Sequence, residues 1–92
     1  MNQPQPKPGV RLREARKSLD LTLRDVATES EAIARERGDS RFQVSPTSLH
    51  SVETKGHVPS LHHLYSLARI HGLSLDSVLC WYLGAKPGSV DI

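Results

Sequence analysis

A single cysteine, Cys80, is present in the chain, and apart from histidine only four residues are aromatic. One cysteine cannot form an internal disulfide, so a fold stapled by its own disulfides is excluded. The longest apolar run, VLCWYL at residues 78–83, is far too short to span a bilayer. Residues 1–9, MNQPQPKPG, lack the apolar centre of a signal peptide. We therefore expect a cytoplasmic protein without a membrane partner.

The residue patterns of metal sites and of catalytic sites are also missing. None of the five histidines lies four positions from another, and Cys80 has no CxxC partner, so neither spacing of a zinc site occurs. Ser48 with His50, and Ser60 with His63, are close in sequence. Neither pair has the glycine-framed turn or the orienting acid of a nucleophilic site. We expect no metal, no cofactor and no enzymatic activity.

Charge is unevenly distributed along the chain. Nine of the twelve lysines and arginines lie within the first 41 positions, together with seven acidic residues. From Phe42 onward three basic residues balance three acidic ones, and the formal net charge of the whole chain is +2. This distribution is a mild indication of a polyanionic partner. A length of 92 residues predicts one domain with a modest core, which leaves little room for a large active-site cavity.

Composition divides the chain into three segments. Residues 1–8 hold three prolines and two glutamines with almost no apolar side chain, so we expect a flexible N-terminal arm. Residues 9–84 carry the periodicity of a folded helical domain. Residues 85–92 are predicted to form a short C-terminal tail.

Two amphipathic helices are predicted in the first half of the domain. Leu12, Ala15 and Leu19 occupy one face of the first helix. The second helix begins after Thr22, whose side chain can cap the first turn, and it ends at Gly38 after about four turns. Its apolar face consists of the residues that keep the helical period: Leu23, Val26, Ala27, Ser30, Ile33 and Ala34.

Three further helices are predicted in the second half, each between a serine cap and a glycine stop. These cap and stop pairs are Ser45 with Gly56, Ser60 with Gly72, and Ser74 with Gly84. The apolar stripes of the last two helices consist of Leu61, Leu64, Tyr65, Leu67, Ala68 and Ile70, and of Leu75, Val78, Leu79, Tyr82 and Leu83. No long stretch alternates with period two, so we expect an all-α bundle of five helices.

Two segments of the chain resemble a known family. GVRLREARKSLDLTLRDVA, followed by VSPTSLHSVETKGHVPSLHHLYSLARIHGLSLDSVL, is similar to the helix-turn-helix domains of phage repressors and Cro. This is the xenobiotic-response-element class of bacterial regulators, and the similarity extends over residues 9–83 apart from the loop region. The resemblance implies a five-helix, lambda-repressor-like bundle that binds double-stranded DNA as a small transcriptional regulator, specifically a repressor.

One segment departs from the pattern of the family. Its members have only a short turn between the second and third helices, whereas about a dozen extra residues, 31–42, intervene here. We expect these residues to extend the second helix by about two turns and to return through GDSRFQV. The angle between the two helices would then be kept.

The resemblance assigns DNA contacts to the third helix and to the start of the second. Pro46, Thr47 and Ser51 match base-contacting positions, and Lys55 matches a phosphate-contacting position. Leu23 stands where relatives often have a phosphate-binding glutamine. Binding is expected to be sequence-specific or weakly specific, with sequence choice either weak or carried by groove shape, because the third helix has no Arg, Asn or Gln for bidentate base contacts. The expected DNA-contacting residues are Thr22, Arg24, Ser45, Pro46, Thr47, Ser48, His50, Ser51 and Lys55; the alternative for them is a solvated polar face.

The resemblance also implies a structural ion pair. Arg16 and Glu53 match positions that pair across the first and third helices of relatives. Such a pair fixes the docking of the third helix. Its role is therefore to position the helix and not to contact a ligand.

Trp81 is the candidate contact of a homodimer. Neighbouring positions on a helix face different directions, so Trp81 is expected to point outward if Tyr82 is buried; the alternative is packing against the arm or the loop that contains Phe42. A homodimer would place two copies about 34 Å apart, facing successive major grooves. The alternative function is a helical protein–protein interaction module that uses the extended second helix, its loop and the Trp81 surface.

Overall fold

The computed structural model describes residues 7–84 of the chain. In order, its elements are α1 (Pro8–Ser18), α2 (Leu23–Arg37), a 3₁₀ turn (Ser40–Phe42), α3 (Pro46–Thr54), α4 (Leu61–Ile70) and α5 (Leu75–Leu83). No strand occurs within residues 7–84, so the predicted all-α bundle of five helices is confirmed. Within the same range no helix combines the length and the apolar composition that crossing a membrane requires.

The helix boundaries follow from the predicted capping residues. Each serine or threonine cap accepts a hydrogen bond from the N–H three residues later, which satisfies one of the amides that a helix start leaves unpaired. These caps are Thr22 for α2, Ser45 for α3, Ser60 for α4 and Ser74 for α5. At the opposite end of α2, Gly38 adopts a left-handed φ of 64°, which favours glycine and stops the helix.

Two details of α1 differ from the prediction. The helix begins at Pro8, so the last residue of the predicted arm belongs to the folded domain. Proline is tolerated there because an N–H at the first helical position would have no intrahelical acceptor. Leu19 is 48% exposed and does not share the buried face of Leu12, because the helix already ends at Ser18. The rest of the arm, residues 1–6, and the tail, residues 85–92, lie outside the described residues.

The inserted residues extend α2 and return to the bundle as predicted. After α2 ends at Arg37, the 3₁₀ turn packs against both α2 and α4. Ser30 on α2 accepts the Val44 N–H at 2.9 Å, and Ser66 on α4 donates to the Phe42 carbonyl at 2.6 Å. Both serines are fully buried. Their side chains therefore satisfy backbone groups of the returning segment that would otherwise lack partners away from water.

The core lies between the first four helices and continues beneath α5. Its main cluster consists of Leu12, Val26, Ala27, Val44, Leu49, Val52 and Leu67. A second cluster of Leu64, Ala68 and Val78 joins α4 to α5. Leu61 and Leu83, predicted in the apolar stripes, are instead 65% and 63% exposed, because they are the first residue of α4 and the last of α5 and project beyond the core.

α1 approaches the backbone of α3 closely at Gly9. A Cβ atom on Gly9 would lie 2.2 Å from the Val52 carbonyl oxygen and 3.1 Å from the Cα atom of Glu53. Both are backbone atoms, which cannot move aside as the end of a flexible side chain can. The absence of a side chain at Gly9 therefore lets the start of α1 lie directly on α3.

We predict that Gly9→Ala lowers the free energy of unfolding by about 1–3 kcal/mol, because the added methyl group overpacks the contact between α1 and α3. Urea denaturation measures the change. Thr28→Ala, at an exposed position of α2, is the control and should alter stability by less than about 0.5 kcal/mol. A gain of about 0.5–1 kcal/mol for Gly9→Ala, which helix propensity alone would give, would show that the close approach is not required.

Candidate nucleic-acid interface

α3 has one face in the core and one open flank. Leu49 and Val52 are 1% and 2% exposed, and they anchor the helix. The side chains at its start and on its other side are exposed or half-buried: Ser45, Pro46, Thr47, Ser48, His50 and Ser51. The inserted residues therefore leave the hydroxyl-bearing flank of α3 uncovered, and the structure brings the residues expected to contact bases together on it.

The first turn of α3 offers few free amides. Ser45 Oγ accepts the Ser48 N–H at 3.1 Å and donates to the Ser48 hydroxyl at 3.0 Å. Pro46 has no N–H, so Thr47 has the one amide of helix positions 1–3 that no cap satisfies. Hydrogen-bonding capacity at this end of α3 is consequently concentrated on Thr47 and on the serine hydroxyls.

The start of α2 is closed by a capping box. Thr22 Oγ1 accepts the Asp25 N–H at 3.0 Å, and the Asp25 carboxylate accepts the Thr22 N–H at 2.9 Å. These hydrogen bonds lower the pKa of Asp25, so the carboxylate stays ionised at neutral pH. Its charge opposes an approaching phosphate. The exposed guanidinium of Arg24 is the cationic group of this turn, and Leu23 is half-buried against the core.

α3 ends in a turn that leaves Lys55 exposed. The Lys55 N–H donates to the Ser51 carbonyl at 2.9 Å, and the His57 N–H reaches the same oxygen at 3.4 Å. Gly56, between them, has a left-handed φ of 70°. The Lys55 ammonium is open to solvent, where it both suits a phosphate and favourably complements the negative end of the α3 dipole.

Arg16 and Glu53 form the ion pair that the resemblance implies. Arg16 Nε donates to one carboxylate oxygen of Glu53 at 2.8 Å, and Nη2 donates to the other at 2.9 Å. Nη1 donates to the Leu21 carbonyl at 2.8 Å, which ties the loop after α1 to the same group. The two side chains are only 11% and 5% exposed. Hydrogen bonding to Glu53 raises the pKa of Arg16, although burial acts in the opposite direction.

His71, at the end of α4, is a buried group whose role the sequence pattern did not indicate. It is 5% exposed, and Nδ1 lies 2.6 Å from the Leu67 carbonyl oxygen, so Nδ1 carries the proton. Nε2 is buried without a hydrogen-bond partner. Burial lowers the pKa of His71, and the positive charge of Arg16 acts in the same direction, while Glu53 and the Leu67 carbonyl oppose them. The imidazole is therefore mainly neutral at pH 7.

Trp81 is half-buried, so the predicted outward orientation is only partly correct. Its ring packs against both core clusters, and the Arg11 guanidinium lies 5.4 Å from the ring centre. The reason is that α5 contacts both α1 and α4, so neighbouring positions on α5 meet different helices. Trp81 also lines a cleft of about 510 Å³ together with Lys7 and Val58.

The two serines considered for nucleophilic chemistry, Ser48 and Ser60, take part in helix capping. Ser60 Oγ accepts the His63 N–H at 3.2 Å as a helix cap, and Ser48 takes part in the capping of α3. Cys80 is 1% exposed. Within residues 7–84 no group of three or more His, Cys, Asp and Glu side chains comes together to hold a metal ion.

Removal of one partner from the ion pair should be far more harmful than removal of both. We predict that Arg16→Met costs about 3–5 kcal/mol of stability, because it leaves the Glu53 carboxylate buried without a cation. The double variant Arg16→Met, Glu53→Leu should recover much of that loss, because no uncompensated charge remains. Urea denaturation gives both values, with exposed Arg13→Met on the same helix as the control. Equal losses in the single and double variants would contradict this role.

The fold should lose stability as the pH falls below about 6.5, the ordinary pKa of histidine. The folded state disfavours protonation of His71, whereas the unfolded chain accepts the proton, so acid favours unfolding. The stability that the neutral His71 contributes is therefore fully present above about pH 6.5 and is lost as the pH falls. For one titrating group, the free energy of unfolding changes by at most about 1.4 kcal/mol per pH unit. His63 adds to it, because burial also lowers its pKa.

Urea midpoints at about pH 7.5 and about pH 5 test this pH dependence. His71→Gln should shrink the difference between the two midpoints, because the variant has no imidazole to protonate. His50→Gln, at an exposed position on α3, is the matched control and should change the difference less than His71→Gln does. The same difference in His71→Gln as in the native chain would exclude His71 as its source.

No relative supplies a function for this surface. Comparison of the chain with protein-family models, curated proteins and solved structures finds no match. The helix-turn-helix resemblance is therefore a resemblance of residue pattern, and the function must be inferred from the geometry and charge of the surface itself.

Proposed function

We propose that the chain binds duplex DNA through the open flank of α3 and the start of α2. The observation that carries the proposal is the exposure of the hydroxyl-bearing flank of α3, although residues 31–42 are inserted ahead of it. The helix is held from behind by Leu49, Val52 and the ion pair of Glu53. A short helix fixed in this way is a rigid element of the size that a major groove admits.

The chemistry of this flank favours weak sequence selectivity. The hydroxyls of Thr47 and Ser51 can donate or accept, so each fits several base edges, and Pro46 offers an apolar contact to a thymine methyl group. Arg24 in the first turn of α2 and Lys55 at the end of α3 are exposed cations and would supply phosphate contacts. Affinity would come mainly from phosphates, and part of the selectivity from groove shape.

A regulator of this kind acts as a homodimer that represses by occupying its site. Two copies about 34 Å apart present two α3 helices to successive major grooves on one side of the duplex. The open part of the Trp81 ring, beside the cleft with Lys7 and Val58, is the surface proposed for the dimer contact. Large aromatic side chains are favoured at the centre of such contacts.

Titration of a random-sequence duplex at about 50 and about 200 mM salt tests DNA binding, because each phosphate contact adds roughly −0.9 to the slope of log affinity against log salt. We predict a steep loss of affinity over this range. Lys55→Ala should weaken binding to all sequences equally and reduce the slope by roughly one unit. Negligible binding at both salt concentrations would refute the proposal.

Selection from a random duplex library identifies the preferred site. For that site the double variant Thr47→Ala, Ser51→Ala should lose sequence preference while the salt slope stays unchanged, because it removes base contacts but no charge. Thr28→Ala, exposed on α2, is the control and should change neither quantity. A preference that survives the double variant would exclude direct readout by α3.

A further inference from the structure

The inserted segment builds a second surface at the far end of α2. Phe42 lies in an edge-to-face arrangement with Tyr65, with ring centres 5.4 Å apart, and with His62, at 4.9 Å. The Arg37 guanidinium lies 4.6 Å from the centre of the Tyr65 ring. Between these side chains is a groove of about 270 Å³, lined by Arg37, Phe42, Leu61, His62, Tyr65 and Leu75. We refer to it as the Phe42 groove.

The Phe42 groove is a fixed feature because its centre is anchored. Ser66 donates to the Phe42 carbonyl at 2.6 Å from a fully buried position, and Val44, two residues further on, is 1% exposed in the core. The backbone that carries the Phe42 ring is therefore held against α4 and the core. Leu61 on the rim is nevertheless 65% exposed, which leaves an apolar side chain open to a partner.

Arg37 gives the groove an electrostatic preference. Its guanidinium donates to the Tyr65 hydroxyl at 2.6 Å and stacks on two rings, yet it forms no salt bridge within the described part of the chain. Asp39, whose charge acts on His62, is itself paired with Arg41 at 2.7 Å. Glu36, whose charge also interacts with Arg37, is itself paired with Arg69. The groove therefore combines an apolar floor with a cation that forms no salt bridge in the described residues, and arginine suits planar recognition of a carboxylate.

The size of the groove favours a side chain over a metabolite. Its volume of about 270 Å³ lies just below the range of roughly 300–1,000 Å³ that is usual for small-molecule sites. A space of this size, open on one side and lined by leucine and aromatic residues, accommodates one aliphatic anchor. Peptide recognition commonly uses such an anchor together with one charged contact.

We propose that the Phe42 groove docks a short segment of a partner protein in which a leucine-like side chain stands beside an aspartate or glutamate. The aliphatic side chain enters between Leu61, Phe42 and Leu75, and the neighbouring carboxylate accepts hydrogen bonds from Arg37. Arg37 is the last residue of α2, about 21 Å along the helix from its first residue, Leu23. The charged contact of the groove is therefore a different residue from those of the proposed DNA contact at the start of α2.

A peptide-display library with one fixed leucine and random flanking positions tests the chemistry of the partner. The expected result is enrichment of Asp and Glu next to the leucine among the peptides that the full chain retains. Enrichment of Lys and Arg, or no enrichment, would overturn the proposal, because Arg37 and the apolar floor would then not recognise an acidic aliphatic segment.

Two variants locate the binding of the most enriched peptide, measured by fluorescence anisotropy. Arg37→Gln removes the charged contact and should weaken binding about tenfold, and Leu61→Asp should weaken it at least as much. Leu83→Asp makes the same change at an equally exposed position, 63%, outside the groove and should have no effect. Equal effects of Leu61→Asp and Leu83→Asp would contradict docking in the groove.

Two further measurements separate this proposal from the alternatives. Arg24→Gln should weaken duplex DNA binding and leave peptide binding unchanged, while Arg37→Gln should do the reverse, so either function can fail alone. Sedimentation of the free chain tests a second copy as occupant. A self-associated chain that Leu61→Asp converts to monomers would show that the groove is an interface between copies, and the peptide proposal would be wrong.

Discussion

The Arg16–Glu53 ion pair is the contact on which the orientation of α3 depends. α3 has nine residues, fewer than the roughly 12–15 that an isolated helix needs in water, so tertiary contacts must hold it. Burial of Leu49 and Val52 supplies attraction, but apolar packing has little directional preference. The two parallel hydrogen bonds between the guanidinium and the carboxylate are directional, so they fix the rotation of α3 about its axis. That rotation decides which side chains of α3 meet solvent.

Residues inserted ahead of α3 would ordinarily be expected to displace it. The buried side chains of Ser30 and Ser66 explain why they do not, because they hold the returning segment by hydrogen bonds. Ser30 accepts the Val44 N–H, so the chain rejoins the core one residue before the cap of α3. This hydrogen bond and the buried Val44 side chain return the chain to the bundle immediately ahead of α3. The extra length is taken up by α2 and the 3₁₀ turn, at the end of the bundle where the Phe42 groove forms.

The sequence predicted the helices well because the residues that cap and stop them act locally. Thr22, Ser45, Ser60 and Ser74 cap helices through hydrogen bonds within their own first turns, and such signals need no knowledge of the fold. Burial at helix ends was predicted poorly, as at Leu61, since periodicity does not reveal where a neighbouring helix stops. Other features depend on contacts distant in sequence: the approach of Gly9 to Val52, the burial of His71, and the packing of Trp81 on α1. The Arg16–Glu53 pair, 37 positions apart, was reached only through a resemblance.

The two open surfaces of the bundle differ in what they offer a partner. The flank of α3 is polar and hydroxyl-rich and is followed by the exposed Lys55, while the start of α2 carries Arg24 and the ionised Asp25. The proposed DNA binding would take its phosphate contacts from these cations and its position in the groove from the fit of the rigid α3 helix. The Phe42 groove is instead mainly apolar and aromatic, and its one cation, Arg37, forms no salt bridge in the described residues. The two proposed partners, a polyanion and an acidic aliphatic segment, would contact different residues, and α2, which carries Arg24 in its first turn and ends at Arg37, joins the two surfaces.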